Sequence, residues 1–123
     1  MSHSILIVDD SAFARRTMRQ MLEAGGYDVD EAATGPEALE RYALHKPLAV
    51  LLDLVMEGMT GLELLAQLRS IDPNVMVVVA TADIQTTTRD EAFRLGAGAL
   101  VNKPFTPDEL LAAVRHVTGH GGP

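Results

Sequence analysis

Residues 5–10 read Ile5-Leu6-Ile7-Val8-Asp9-Asp10. Four apolar residues in succession, with no polar alternation, form the pattern of a strand buried on both faces, the mark of a parallel sheet. Leu48-Ala49-Val50-Leu51-Leu52 and Val75 to Ala80 repeat the pattern. Tyr27 to Ala33 is more mixed, with Asp28, Asp30 and Glu31 set against Tyr27, Val29 and Ala32-Ala33, and reads as an edge strand. Ala99-Leu100-Val101 is a brief fifth strand at the opposite edge.

Helical patterns fill the intervals. Ala14, Met18, Met21 and Leu22 share a face, and Gly25-Gly26 supplies a stop. Ala38, Leu39, Tyr42 and Ala43 form a second stripe ending before Pro47; Leu62, Leu65 and Leu68 form a third. Ala92, Phe93 and Leu95 precede Gly96, and Leu110, Leu111 and Val114 form the fifth. Thr34/Glu37, Thr60/Glu63, Thr88/Glu91 and Thr106/Glu109 have the spacing of the capping box, in which hydroxyl and carboxylate each satisfy a free backbone amide. Strict alternation predicts an α/β fold: a doubly wound (βα)5 domain with a five-stranded parallel sheet in the flavodoxin-like order 2-1-3-4-5. One domain over residues 1–119 is expected, with a flexible tail at 120–123 (His120-Gly121-Gly122-Pro123).

Composition narrows the function. The 123 residues carry 17 acidic and 10 basic side chains, a formal charge of −7, which disfavours a nucleic-acid binder. Hydrophobic residues make up 47% and charged ones 22%, ordinary globular usage. No cysteine is present, so disulfides, thiolate zinc sites and cysteine nucleophiles are excluded, as in a reducing compartment. No apolar run is long enough to span a bilayer, and Met1-Ser2-His3-Ser4 lacks the basic segment of a signal peptide. A cytoplasmic location is expected.

The polar residues at strand ends carry the chemistry. Asp9 and Asp10 follow the first strand, Asp53 closes the third, Thr81 closes the fourth and Lys103 lies just past the fifth. In a parallel sheet these five converge on the carboxyl rim, where open α/β sheets bind ligands. Three crowded carboxylates call for a cation among them. An all-oxygen donor set selects magnesium, or manganese or calcium, over zinc. A divalent ion and Lys103 together balance the three negative charges. A phosphoryl group arriving there meets a metal, an ammonium and a hydroxyl, and Asp53 can act as its nucleophile. Taken singly, each of these residues is equally a cap or a solvated turn residue. The set of five is what argues for chemistry.

Val8-Asp9-Asp10-Ser11, Leu52-Asp53-Leu54-Val55-Met56, Ala80-Thr81-Ala82-Asp83 and Asn102-Lys103-Pro104-Phe105 together resemble the receiver domain of two-component response regulators, with single-domain chemotaxis-type regulators closest in layout. The resemblance covers essentially the whole chain. It implies that Asp53 accepts a phosphoryl group from a sensor histidine kinase or a small phosphodonor. Asp10, Asp53 and the Val55 backbone carbonyl would hold Mg2+ directly, for which Mn2+ can substitute, and Asp9 would act mainly through bound water. Thr81 and Lys103 would each take a phosphoryl oxygen, Lys103–Pro104 would be cis, and Ala82 would leave room for the phosphoryl group. The implied role is a switch rather than an enzyme, with output around the fourth helix, fifth strand and fifth helix. No output domain is expected after the last helix. Signalling would use a downstream target or a phosphotransfer protein, from a monomer or a weak phosphorylation-dependent dimer.

Several positions depart from the family pattern. Leu100 stands where an aromatic switch residue is usual, Glu57 where proline is common, and Thr60 where aspartate is common, although Gly61 matches. Val55 and Asp83 occupy the two positions at which the family varies phosphoryl lifetime. Glu57 itself reads as a solvated turn carboxylate, and Met56 and Met59 read as packing.

Three rivals remain on the sequence. A haloacid-dehalogenase-type aspartyl-phosphate phosphatase would need a second aspartate where Val55 stands. A flavin module would need a Ser/Thr/Gly phosphate loop after the first strand and stacking aromatics, whereas two acids and only Tyr27 and Tyr42 are offered. A degenerate receiver used only for docking would not need all five site residues. His116 and His120 have ligand-like spacing, but Gly119 falls between them and no third ligand is near.

Overall fold

The first strand sends its buried side chains alternately to two cores: Leu6 and Val8 to one, Ile5 and Ile7 to the other. The computed structural model describes residues 3–82 and 85–119. Its elements run β1 (Ser4–Val8), α1 (Ala12–Ala24), β2 (Asp28–Ala32), α2 (Gly35–His45), β3 (Ala49–Asp53), α3 (Gly61–Ile71), β4 (Val77–Thr81), α4 (Thr86–Arg94), β5 (Ala99–Asn102) and α5 (Pro107–Thr118). The sheet is parallel throughout, in the order β2-β1-β3-β4-β5. Asp83 and the tail expected at 120–123, His120 included, lie outside the described residues.

The central strands explain the two layers. Val50, Leu52, Val77 and Val79 point to the core shared with α2, α3 and α4, and Leu51, Val78 and Ala80 to the core shared with α1 and α5. Met18 and Leu22 close the second layer from α1; Leu110, Ala113 and Val114 close it from α5. Ala38, Tyr42, Leu64, Leu65 and Leu68 close the first. Burying each large aliphatic side chain contributes about 2 kcal/mol, which is why uninterrupted apolar runs commit to the middle of the sheet. The edge strand β2 is blunted by charge: Asp30 accepts from Arg41 Nη1 at 2.7 Å, and Glu31 accepts from Arg15 and Arg19.

Helix ends follow the sequence at three of four expected caps. Thr60/Glu63 and Thr106/Glu109 form complete capping boxes. Thr34 accepts from the Glu37 amide at 3.2 Å, but the Glu37 carboxylate takes the Ala33 amide at 2.6 Å, one residue before the cap. The Thr88/Glu91 expectation is corrected. Helix α4 begins earlier, at Thr86 with Gln85 as N-cap, so Thr88 lies inside the first turn and Glu91 instead accepts from Arg94 Nε at 2.9 Å.

Three apolar stripes are also adjusted. Phe93 is 40% exposed, with the Arg89 guanidinium 5.9 Å from its ring centroid, so only Ala92 is buried on α4. Leu64 joins Leu65 and Leu68 in the core while Leu62 is only partly buried. Ala43 is exposed, because α2 turns its Ala38–Tyr42 line to the sheet.

Gly61 is fixed by close approach. A Cβ there would stand 2.5 Å from the Asp53 carbonyl oxygen, and the Gly61 amide donates to the Leu54 carbonyl at 3.0 Å. The start of α3 is thereby pressed against the end of β3. Because only two of the three intact threonine caps are closed reciprocally and Thr88 caps nothing, Thr60→Ala and Thr106→Ala should each cost about 1 kcal/mol in urea unfolding. Thr88→Ala should stay within about 0.5 kcal/mol of the parent. Equal losses at Thr60 and Thr88 would contradict the observed start of α4.

Candidate functional site

Parallel register brings the strand ends level: Val8 pairs with Leu52, Asp53 with Ala80 and Thr81 with Asn102. Asp9, one residue past β1, is still tied to the sheet through its amide, which donates to the Ala32 carbonyl at 3.2 Å. Its side chain is buried, with 1% exposure. One carboxylate oxygen accepts from the Ser11 amide at 2.9 Å and the other from Lys103 Nζ at 2.9 Å. Ser11 caps α1, so the acidic turn and the helix start are one unit.

Asp53 ends β3 and is 9% exposed. Its Oδ1 accepts from the Val55 amide at 3.1 Å and its Oδ2 from Lys103 Nζ at 3.1 Å. Lys103 therefore spans two carboxylates from two strands. Its backbone amide donates to the Thr81 carbonyl at 2.9 Å, which ties the lysine to the end of β4. Thr81 is fully buried. The Lys103–Pro104 peptide is cis, as the resemblance implied. Asp10 is exposed, and its Oδ2 accepts from the Glu57 amide at 3.3 Å across the rim. The Val55 side chain points to solvent, leaving its backbone as the part that meets the site.

Electrostatics follow from this burial. Desolvation pushes the Asp53 carboxyl above its ordinary 3.8, against the opposing pull of the Val55 amide and Lys103. Desolvation also works against the Lys103 ammonium, but Asp9 and Asp53 outweigh it and hold the lysine above its ordinary 10.5. Lys103 is thus a fixed positive charge, and Asp53 a carboxylate poorly compensated for its burial.

The donor chemistry suits a hard divalent cation. Asp9, Asp10 and Asp53 offer carboxylate oxygens only, and one ammonium against three carboxylates leaves two negative charges to be balanced. Among the described residues no three acidic or histidine side chains are already drawn into a ligand cluster. Lys103 is bonded to Asp9 and Asp53, and Asp10 is turned to the Glu57 amide.

The structure brings Asp9, Asp53 and Lys103 into direct contact, ties the Thr81 carbonyl to the Lys103 amide and sets Asp10 against the Glu57 amide. Two further features were not legible in the sequence. An apolar groove of about 390 Å³ opens beside Lys103, lined by Phe13, Met18, Met21, Pro104 and Phe105. The 78% exposure of Phe13 could not be foreseen from a helical stripe. Arg15 Nη1 donates to the Asp9 backbone carbonyl at 2.7 Å, a contact to main chain that leaves no mark in residue spacing. Leu100 packs partly buried against the α2–α4 core rather than standing free.

Known proteins agree with this geometry. Residues 5–115 match the response regulator receiver domain family. The chain is similar to chemotaxis protein CheY of Thermotoga maritima, 36% identical over 119 residues, covering 96% of this chain and 99% of that protein. A CheY-like receiver domain from Methanospirillum hungatei superposes with a TM-score of 0.91 at 28% identity, covering 98% of this chain and 97% of the other. A Borrelia burgdorferi CheX–CheY complex with BeF3 and Mg2+ superposes with a TM-score of 0.89 at 30% identity, covering 93% and 87%. With the sheet order, the acidic rim and this sequence match all in accord, the chain belongs to the response regulator receiver domains of two-component systems.

Proposed function

We propose that the chain is a phosphorylation-controlled switch in which Asp53 accepts a phosphoryl group from a sensor histidine kinase or a small phosphodonor. The observation that carries this reading is the Lys103 ammonium held against both Asp9 and Asp53, beside the end of β4. A carboxylate that burial has left under-stabilised is primed to attack. One Asp53 oxygen forms the bond to phosphorus, the P–N bond to the donor histidine breaks, and the leaving imidazole takes its proton from solvent. The product is a mixed anhydride at Asp53.

Asp10, Asp53 and the Val55 carbonyl would hold Mg2+, with Asp9 acting mainly through bound water, and the ion when bound would neutralise charge on the incoming phosphoryl oxygens. The oxygen-only donor set, and a relative solved with Mg2+, support this assignment. Lys103 exchanges its Asp53 contact for a phosphoryl oxygen, and the Thr81 hydroxyl takes another. Because the Lys103 amide is bonded to the Thr81 carbonyl, the two shift together. That shift favours a conformation already present in the ensemble. Helix α4 buries only Ala92 and has no side-chain cap, so it is the lightly anchored element beside the rim. The family resemblance implies an output face on α4, β5 and α5, and the light anchoring of α4 supports that reading.

The chain acts by binding a partner or by passing the phosphoryl group on, not by turning over an external substrate. The apolar Val55 offers no acid in place of a phosphatase's second aspartate. A cytoplasmic site of action fits a kinase-fed switch, and no helix among the described residues is long and apolar enough to cross a membrane.

Incubation with acetyl phosphate and Mg2+ should add one phosphoryl group by intact mass, and the gain should vanish in Asp53→Asn or without the metal. A folded protein that binds Mg2+ yet gains no mass from acetyl phosphate or from phosphorylated kinases would be a docking module instead.

Stability should report the same carboxylate. A carboxyl whose folded pKa lies above its ordinary 3.8 binds protons more readily folded than unfolded, so its ionised form costs stability once pH rises through the folded value. Asp53→Asn should therefore melt at or above the parent near about pH 7, and the advantage should shrink towards about pH 4. A variant less stable than the parent at neutral pH would show that the ionised carboxylate is a net structural asset.

A further inference from the structure

The Asp9–Asp10 turn is held from behind by a network that the switch chemistry does not use. Arg15, with its side chain 17% exposed, directs Nε to Glu31 Oε1 at 3.0 Å and Nη1 to the Asp9 carbonyl oxygen at 2.7 Å. Glu31 is held in turn by Arg19 Nε at 2.6 Å, and Arg19 also reaches Glu23 at 3.1 Å. Burial opposes the Glu31 carboxylate, but Arg19 and Arg15 override it and hold its pKa below the usual range. Two arginines and two glutamates make the network electrically neutral.

We propose that Arg15 is a positioning residue for the divalent-cation site, fixing the peptide between Asp9 and Asp10 so that both carboxylates are presented before the metal arrives. The proposal rests on the reading that this acidic turn binds Mg2+. The Asp9 carbonyl oxygen belongs to the peptide from which Asp10 springs, and Asp10 itself is exposed, its carboxylate accepting from the Glu57 amide at 3.3 Å. The Asp9 amide is fixed to Ala32 and its carboxylate to Ser11 and Lys103. Arg15 completes the set by taking the one remaining polar atom of Asp9, and so fixes the plane on which Asp10 depends. Glu31 makes this safe: a guanidinium beside three carboxylates would otherwise be drawn to them and compete with the metal. With one arm on Glu31, it gives geometry without occupying the site. Groups of this kind, behind the ligands, typically change metal affinity by about 10–100-fold.

The sign of the effect separates positioning from simple charge. Removing a cation near an acidic site should tighten Mg2+ by electrostatics alone, whereas loss of positioning should weaken it. Arg19→Ala is the matched control, since it removes the same charge and one Glu31 contact without touching Asp9. Mg2+ titration by calorimetry on the unphosphorylated protein, with urea unfolding alongside, should show Arg15→Ala about tenfold weaker and Arg19→Ala close to the parent at comparable loss of stability. Arg15→Lys keeps the charge but cannot span both acceptors, and should also be weaker. It serves if Arg15→Ala does not fold. Unchanged or tighter binding in the Arg15 variants, or equal weakening in Arg19→Ala, would overturn the proposal. Absence of Mg2+ binding in the parent, or unchanged affinity in Asp10→Asn, would overturn the metal-site reading beneath it.

Discussion

One ammonium holds the rim together. Lys103 Nζ sits 2.9 Å from Asp9 and 3.1 Å from Asp53, two carboxylates that the ends of β1 and β3 bury side by side. Without that cation one of them would have to take a proton or leave the sheet. Its amide is bonded to the Thr81 carbonyl, so the same residue fastens the ends of β4 and β5 to the acidic pair. A change of charge at Asp53 is therefore felt at once by every central strand end. The proposed switch would use this link, with a local change of charge biasing an element that can adopt two arrangements.

The sheet makes that arrangement rigid where it must be and loose where it can move. Four buried residues of β1 and five each of β3 and β4 commit the strands to two cores, and Gly61 lets α3 close directly on the Asp53 peptide. The charged edge at β2 is locked by Arg15, Arg19 and Arg41. On the other side, α4 shows Phe93 to solvent and contributes a single buried side chain. Packing is dense next to the acidic turn and thins out at α4.

Much of this was legible in the residues. An unbroken run such as Ile5 to Val8 has few rivals as a reading, and in a parallel sheet the register of strand ends follows from direction alone, so Asp9, Asp53, Thr81 and Lys103 converge without further information. What failed did so for local reasons. Thr86-Thr87-Thr88 offers several helix starts, and a threonine inside the first turn keeps the same spacing to Glu91 as a cap would. Positions 92, 93 and 95 do not share one narrow face, and Phe93 takes Arg89 as a partner in place of the core. The Arg15 contact joins a helix side chain to a backbone carbonyl of another segment, a relation that exists only once the chain has folded.

Lys103 and Asp53 act as a coupled pair, and a double-mutant cycle in urea unfolding measures that coupling directly. Lys103→Met should cost about 2 kcal/mol, less than the loss for a fully buried pair because the lysine is a quarter exposed. Adding Asp53→Asn should recover part of that loss by removing a carboxylate left without its cation, giving a coupling of about 1 kcal/mol or more. Strictly additive effects would mean that the ammonium does not hold the acidic rim together.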